Sequence, residues 1–212
     1  MREGRPYRSR GVRALRLRAV LASGLVLGVG AAVTLASWTD REFATGSFQT
    51  SVFNTQSSVN GSAYADNSVS PGATVTIAGP FAPGVSSYFP VLIQTTANSV
   101  AGTAVLNGAV LGGTDAATLG AALVYRVVRT PATCNAAAFT GTPAFVVGAA
   151  ATTRALTAGQ ETGVTNALAA ATSTAPGAAT GFCFEVTLPA GAPNTLQGKT
   201  TTATWQFVTT SN

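Results

Sequence analysis

Residues 181–188, GFCFEVTL, constrain the fold more tightly than any other stretch of the chain. Phe182, Phe184, Val186 and Leu188 take one set of alternate positions; Cys183, Glu185 and Thr187 take the other. Successive side chains of an extended strand point to opposite faces. The alternation therefore predicts a strand with an apolar inward face and a polar outward face. Similar strand-like runs recur at 47–55, 73–78 (Val75 and Ile77 on one face), 88–96, 103–110 and 122–130. A last run, 200–210, puts Ala203, Trp205 and Phe207 on one face. Gly, Pro and Asn punctuate the gaps, as turns between antiparallel strands require. The expected class is all-β: an antiparallel β-sandwich. One or two short helices are expected within it. Residues 114–123 suit two or three turns. A short helix is also predicted within 164–171, downstream of Thr157 and Gln160 at capping-box spacing, although Gly159 and Gly163 weaken it.

Three stretches begin alike: SPGATVTI (70–77), APGVSSYFPVLI (82–93) and APGAATGFCFEVTL (175–188). Proline fixes φ and glycine tolerates positive φ, so Pro-Gly builds a turn that launches a strand. A recurrent turn accounts for the echo without a duplicated unit.

Charge divides the chain sharply. Overall there are 12 Lys+Arg against 7 Asp+Glu, for a net charge of +5. Seven arginines lie within residues 2–18, and the part beyond residue 36 carries five bases and six acids. The basic balance thus belongs to the N-terminal segment, and no nucleic-acid partner is expected for the domain. Residues 19–38 contain no charge. After an arginine cluster they read as the apolar core of a secretory signal. A run of about 20 apolar residues also suffices to span a bilayer. The predicted organisation is a signal segment at 1–36 (n-region 1–18, h-region 19–36), a junction arm at 37–46 and a β-domain at 47–212. Thr34-Leu35-Ala36 offers a small-x-small cleavage site, placing the cut between Ala36 and Ser37. Cleavage by a signal peptidase on the general secretion route, and retention as an uncleaved N-terminal transmembrane helix, both stay open. No adjacent arginine pair marks a twin-arginine signal, and membrane contact is expected only through this segment.

The two cysteines, Cys134 and Cys183, fall on the exported side, where an even count favours a disulfide. Two thiols without a single histidine are too few soft ligands for a metal site. The lack of histidine also removes Ser–His and Cys–His nucleophile activation. No phosphate loop, nucleophile elbow or zinc-protease motif occurs. Neither a catalytic residue nor a cofactor is expected. Lys199, the only lysine, stands at a strand entry where exposure is expected, which argues against a buried Lys–Asn cross-link.

The junction carries a resemblance. An apolar run ending in small residues is followed by Trp38-Thr39-Asp40 and then by FATGSFQTSVFN (43–54). With SPGATVTI (70–77) and LQGKTTTATWQFV (196–208), this is similar to secreted proteins with SipW-type signal peptides, the TasA/camelysin-like biofilm-matrix family, in its actinobacterial form. The matching blocks cover about a third of the chain, and 100–180 matches only in composition and strand rhythm. The resemblance implies a jelly-roll-like sandwich, export, and a cell-surface or extracellular-matrix location. It also implies self-association into fibres, in which the freed N-terminal segment adds as a strand to the next subunit. Residues 43–55, anchored by Phe48, Val52 and Phe53, would be that donor strand; the competing expectation is that they form the first strand of their own sheet. The main alternative function is a monomeric, adhesin-like binding module, released or membrane-anchored. The metallopeptidase role implied by one family name does not transfer, because the chain lacks histidine.

Overall fold

The computed structural model describes residues 15–21, 41–46, 50–73, 81–130 and 133–212. The chain divides into two compact units, Met1–Phe48 and Gln49–Asn212. In the first, residues 15–21 are helical and residues 41–46 are irregular and exposed. Among the described residues no helix is long and apolar enough to cross a membrane. Most of the predicted apolar run, with Ala36 and Ser37, lies outside the described residues.

The second unit is built from antiparallel sheets with a few short helical turns. Its strands are β1 (Thr55–Val59), β2 (Ser86–Thr95), β3 (Gly102–Leu106), β4 (Val110–Gly112), β5 (Val124–Arg129) and β6 (Ala144–Val147), followed by β7 (Arg154–Ala155), β8 (Asn166–Leu168), β9 (Thr180–Thr187), β10 (Thr202–Thr204) and β11 (Phe207–Ser211). The large sheet has the order β1-β2-β9-β5-β6, with β7 also pairing with β5. Two smaller sheets run β11-β3-β8 and β10-β4. One apolar cluster draws on all three. β2 supplies Phe89, Val91 and Ile93; β9 supplies Phe182, Phe184 and Val186; β5 supplies Tyr125 and Val127. From the smaller sheets come Ala104, Leu106 and Leu168, with Leu111, Ala203 and Phe207 packed against them. Period-two alternation along β2, β5 and β9 thus feeds one core.

Two expected strands are each divided. The run 103–110 divides into β3 and β4, and 200–210 divides into β10 and β11. The two breaks face each other, with Asn107 N–H donating to the Gln206 carbonyl at 2.9 Å. Gly108 lies in the break, where a Cβ would sit 1.9 Å from the Thr157 carbonyl oxygen, so only glycine fits. The predicted strand 73–78 lies outside the described residues apart from Ala73. No helix forms in 164–171. Asn166 and Leu168 are instead buried on β8 and pair with Ala104 and Gly102. The Gln160 carboxamide does not cap a helix; it accepts from the Leu106 N–H and donates to the Val164 carbonyl. At 114–123 helical turns do form, as a π-helical turn over Ala116–Gly120 that continues through residue 122. The Pro-Gly turns at Pro71-Gly72 and Pro83-Gly84 use positive φ at glycine, +70° and +82°. Gly177 does not; it is buried where a Cβ would strike the Ala169 carbonyl oxygen.

The rim of the large sheet at β1 is closed residue by residue. The Thr55 N–H donates to Asn54 Oδ1 at 2.9 Å. Ser57 exchanges two backbone bonds with Ala65, at 2.9 and 3.0 Å. The Val59 N–H donates to Ser62 Oγ, and the Ser62 N–H returns to the Val59 carbonyl. β1 ends where it meets Pro90: the Asn60 N–H reaches the Pro90 carbonyl at 3.0 Å, but proline has no N–H to give back.

Candidate functional site

The alternation that sends Phe182, Phe184 and Val186 inward sends Cys183 and Glu185 to the opposite face of β9. Register then sets Glu185 beside Tyr88 on β2 and Arg126 on β5. Three polar side chains thus stand in a row across the three central strands. The Tyr88 hydroxyl donates to Glu185 Oε1 at 3.0 Å. Arg126 Nε donates to Glu185 Oε2 at 2.6 Å, and Nη2 pairs with the same oxygen. Arg126 Nη1 donates to the Ala150 carbonyl at 2.6 Å. Burial, and next to it the Glu185 charge, raises the Tyr88 phenol above its ordinary value.

A solvated glutamate is the expectation for an outward strand position, yet Glu185 is only 7% exposed. The cover is the segment 133–143. Cys134 is joined to Cys183 as a disulfide, with Cα atoms 5.1 Å apart. A short 3₁₀ turn, Ala136–Phe139, opens with Asn135 Oδ1 accepting from the Ala137 N–H. It lays Phe139 over the row. The Phe139 ring centroid is 5.1 Å from the Arg126 guanidinium carbon, 5.9 Å from the Tyr88 ring and 6.5 Å from the Phe145 ring. Val128, Phe139 and Cys183 form a second buried cluster there, with Tyr88, Cys134, Ala138 and Phe145 against it. A cation over an aromatic face and a carboxylate at its other side together replace the water that Arg126 loses.

The other described acids of this unit are also held by their own scaffold. Arg154 Nε donates to Glu161 Oε1 at 2.6 Å and Nη2 to Oε2 at 3.0 Å; the Gly148 N–H adds a bond to Oε1. These bonds, Arg154 first, hold the Glu161 carboxyl below its ordinary value. Lys199 Nζ donates to Asp115 Oδ1 at 2.8 Å and the Thr200 N–H to Oδ2, and both keep Asp115 low. Lys199 is half-buried rather than exposed. Asp66 Oδ1 accepts from the Ser68 N–H. On the inner face the Tyr125 hydroxyl donates to the Ala158 carbonyl, and burial pushes its phenol up to about 12. The Trp205 indole N–H offsets part of that rise, but it forms no hydrogen bond of normal geometry.

The predicted donor-strand residues fall in different places. Phe48 lies outside the described residues. Val52 is 46% exposed and bridges in parallel to Ser99. Phe53 packs against the chain's own core. The Val52 carbonyl accepts from the Val100 N–H at 3.0 Å, and the Asn54 carbonyl from the Thr96 N–H at 2.9 Å. Tyr88, Arg126 and Phe139 were not singled out by sequence. Arg126 and Glu185 do occupy outward positions of two predicted strands, but no local signal sets those strands side by side.

Among the described residues no cluster of three metal-ligating side chains occurs. A shallow hollow lined by Arg129, Thr130, Ala144, Ala179, Thr180 and Gly181 contains no acid. Compared with protein-family patterns, with curated proteins and with solved structures, the chain matches none of them.

Proposed function

We propose that this is an exported, non-enzymatic structural protein of the cell surface or extracellular matrix, which assembles by N-terminal strand donation. Its domain is a two-layered β-sandwich of jelly-roll or Ig-like type; the shared cluster of apolar side chains from all three sheets supports that architecture. One observation carries the functional reading. Glu185, Glu161 and Asp115 are each paired to a cation of the same chain, and Asp66 is bonded to its own turn. Ionisable groups held this way stabilise a scaffold, whereas acid–base catalysis needs a group placed to exchange a proton with a substrate. The disulfide suits an oxidising, extracellular setting. The exposed stretch 41–46 suits an arm that adds as a strand elsewhere, since an extended segment gains main-chain hydrogen bonds at a sheet edge. Head-to-tail contacts of that kind do not close, and so build filaments.

A specific observation favours a second reading, a monomeric adhesin-like module. Phe53 already fills the chain's own core and residues 52–54 already bond to 96–100. Donation would break those contacts, and association carries its own entropy cost. Negative-stain electron microscopy of the chain beginning at Ser37, over a range of concentration and pH, separates the two. Filaments are expected. Dispersed monomers throughout overturn the assembly reading and leave the module.

A further inference from the structure

The cover over the Tyr88–Glu185–Arg126 row is attached in an unusual way. Among the described residues the backbone of 133–143 makes no hydrogen bond to the sheet. Its backbone bonds are internal, Ala138 N–H to Asn135 and Thr140 N–H to Ala137. Its hold on the sheet is the Cys134–Cys183 bond together with Phe139, which is 7% exposed. No residue of 133–143 belongs to the inner core cluster. A segment with no backbone hydrogen bonds to the sheet, held by one buried side chain and one covalent bond, can open separately from the rest of a domain once that bond is cut.

We propose that Cys134–Cys183 is a redox latch. Closed, it holds 133–143 over a buried ion pair. Reduced, it frees that segment and turns the outer face of the large sheet into an exposed surface bearing Arg126, Glu185 and Tyr88, while the inner core stays folded. The co-reactant is a dithiol. Its thiolate attacks Sγ of Cys134, which is half-buried, because Cys183 is fully buried on the central strand β9. The Sγ–Sγ bond breaks, and Cys183 leaves as a thiolate that takes up a proton. The second thiol of the reductant, as its thiolate, then attacks the mixed disulfide, freeing Cys134 as a thiol. Two electrons pass to the protein and the reductant closes into a cyclic disulfide. The oxidised face presents Phe139; the reduced face presents the Arg126–Glu185 ion pair and the Tyr88 hydroxyl, so the two states present different chemistry to any partner.

The test is iodoacetamide labelling of Cys183 in the full chain carrying Trp38→Phe, with and without dithiothreitol, alongside the fluorescence of Trp205, which is then its single tryptophan. After reduction Cys183 should alkylate about a hundredfold faster than the chain unfolds globally, with the Trp205 signal unchanged. The Cys134→Ser variant should label at the same rate with no reductant present. The latch is overturned if reduction collapses the Trp205 signal. It is equally overturned if dithiothreitol leaves the native bond intact, or if Cys183 in the variant reacts only when denaturant is added.

Discussion

The two faces of the large sheet share strands but not a means of stabilisation. On the inner face Phe89, Phe184, Tyr125 and Trp205 meet ring to ring, with the Phe89 and Phe184 centroids 4.8 Å apart. Burial of apolar area holds that face together. On the outer face, one residue along the same strands, a carboxylate, a guanidinium and a phenol are kept from water by a separate segment and a covalent bond. The difference shows how alternation lets one strand serve two environments. The inner face tolerates no loss of volume, and the outer face tolerates no loss of a partner.

Three changes probe that contrast, beginning with the largest effect. Phe184→Ala empties the centre of the inner face, where Phe89, Tyr125, Trp205 and Phe207 all touch the ring. It should cost about 4 kcal/mol by urea unfolding. An effect below about 1 kcal/mol would mean that the face collapses around the gap. Glu185→Gln probes the other side. It leaves Arg126 covered but without its anion, and should cost about 2 kcal/mol, less than the full penalty for a deeply buried pair because the amide still accepts hydrogen bonds. Replacing both partners, Arg126→Met with Glu185→Leu, should recover most of that loss. If the double variant is as unstable as the single one, the outer face depends on the ion pair itself and not on partner matching.

The smallest effect concerns Glu161. Its carboxyl titrates lower in the folded chain than in the unfolded one, held by Arg154 and the Gly148 N–H. The stability it lends is therefore complete above the unfolded value, about 4.3. It is lost as pH falls through the lower folded value. Both side chains are substantially exposed, so solvent screens the pair. Glu161→Gln should flatten the acid limb of stability slightly, and unfolding curves at descending pH should show it. A steep acid limb that persists in the variant would assign that limb to other carboxylates.

Legibility followed the range over which each signal acts. Alternation in 181–188 is a property of eight adjacent residues, and β9 forms there with the predicted residues inward. The antiparallel, all-β character was within reach of the same local reasoning, and the joined cysteines followed from their even count on the exported side of the chain. The predicted helix at 164–171 rested on alanine content and a capping pattern. Those weak preferences yielded to burial of Asn166 and Leu168 against β3, and to Gln160 bonding the Leu106 backbone. Intrinsic propensity is a fraction of a kilocalorie per residue, and tertiary contacts routinely exceed it. The Glu185 environment was illegible for another reason. Arg126 is 59 residues away and Phe139 arrives from a different loop. Which strands become neighbours is decided by the topology of the whole sheet, and no window of sequence contains it.

The closed rim at β1 has a consequence for what two molecules do on meeting. Two copies that collide along β1 find the N–H groups of Thr55, Ser57 and Val59 already engaged within their own chains. Such an encounter gains no ladder bonds and ends in separation, which is how natural sheets avoid sticking edge to edge. Any polymer this chain builds must therefore grow from another border, and Asn54, Ser62 and Ala65 act as its guards against uncontrolled stacking. Removing the Asn54 carboxamide or the Ser62 hydroxyl would uncover one N–H of that rim, at Thr55 or at Val59.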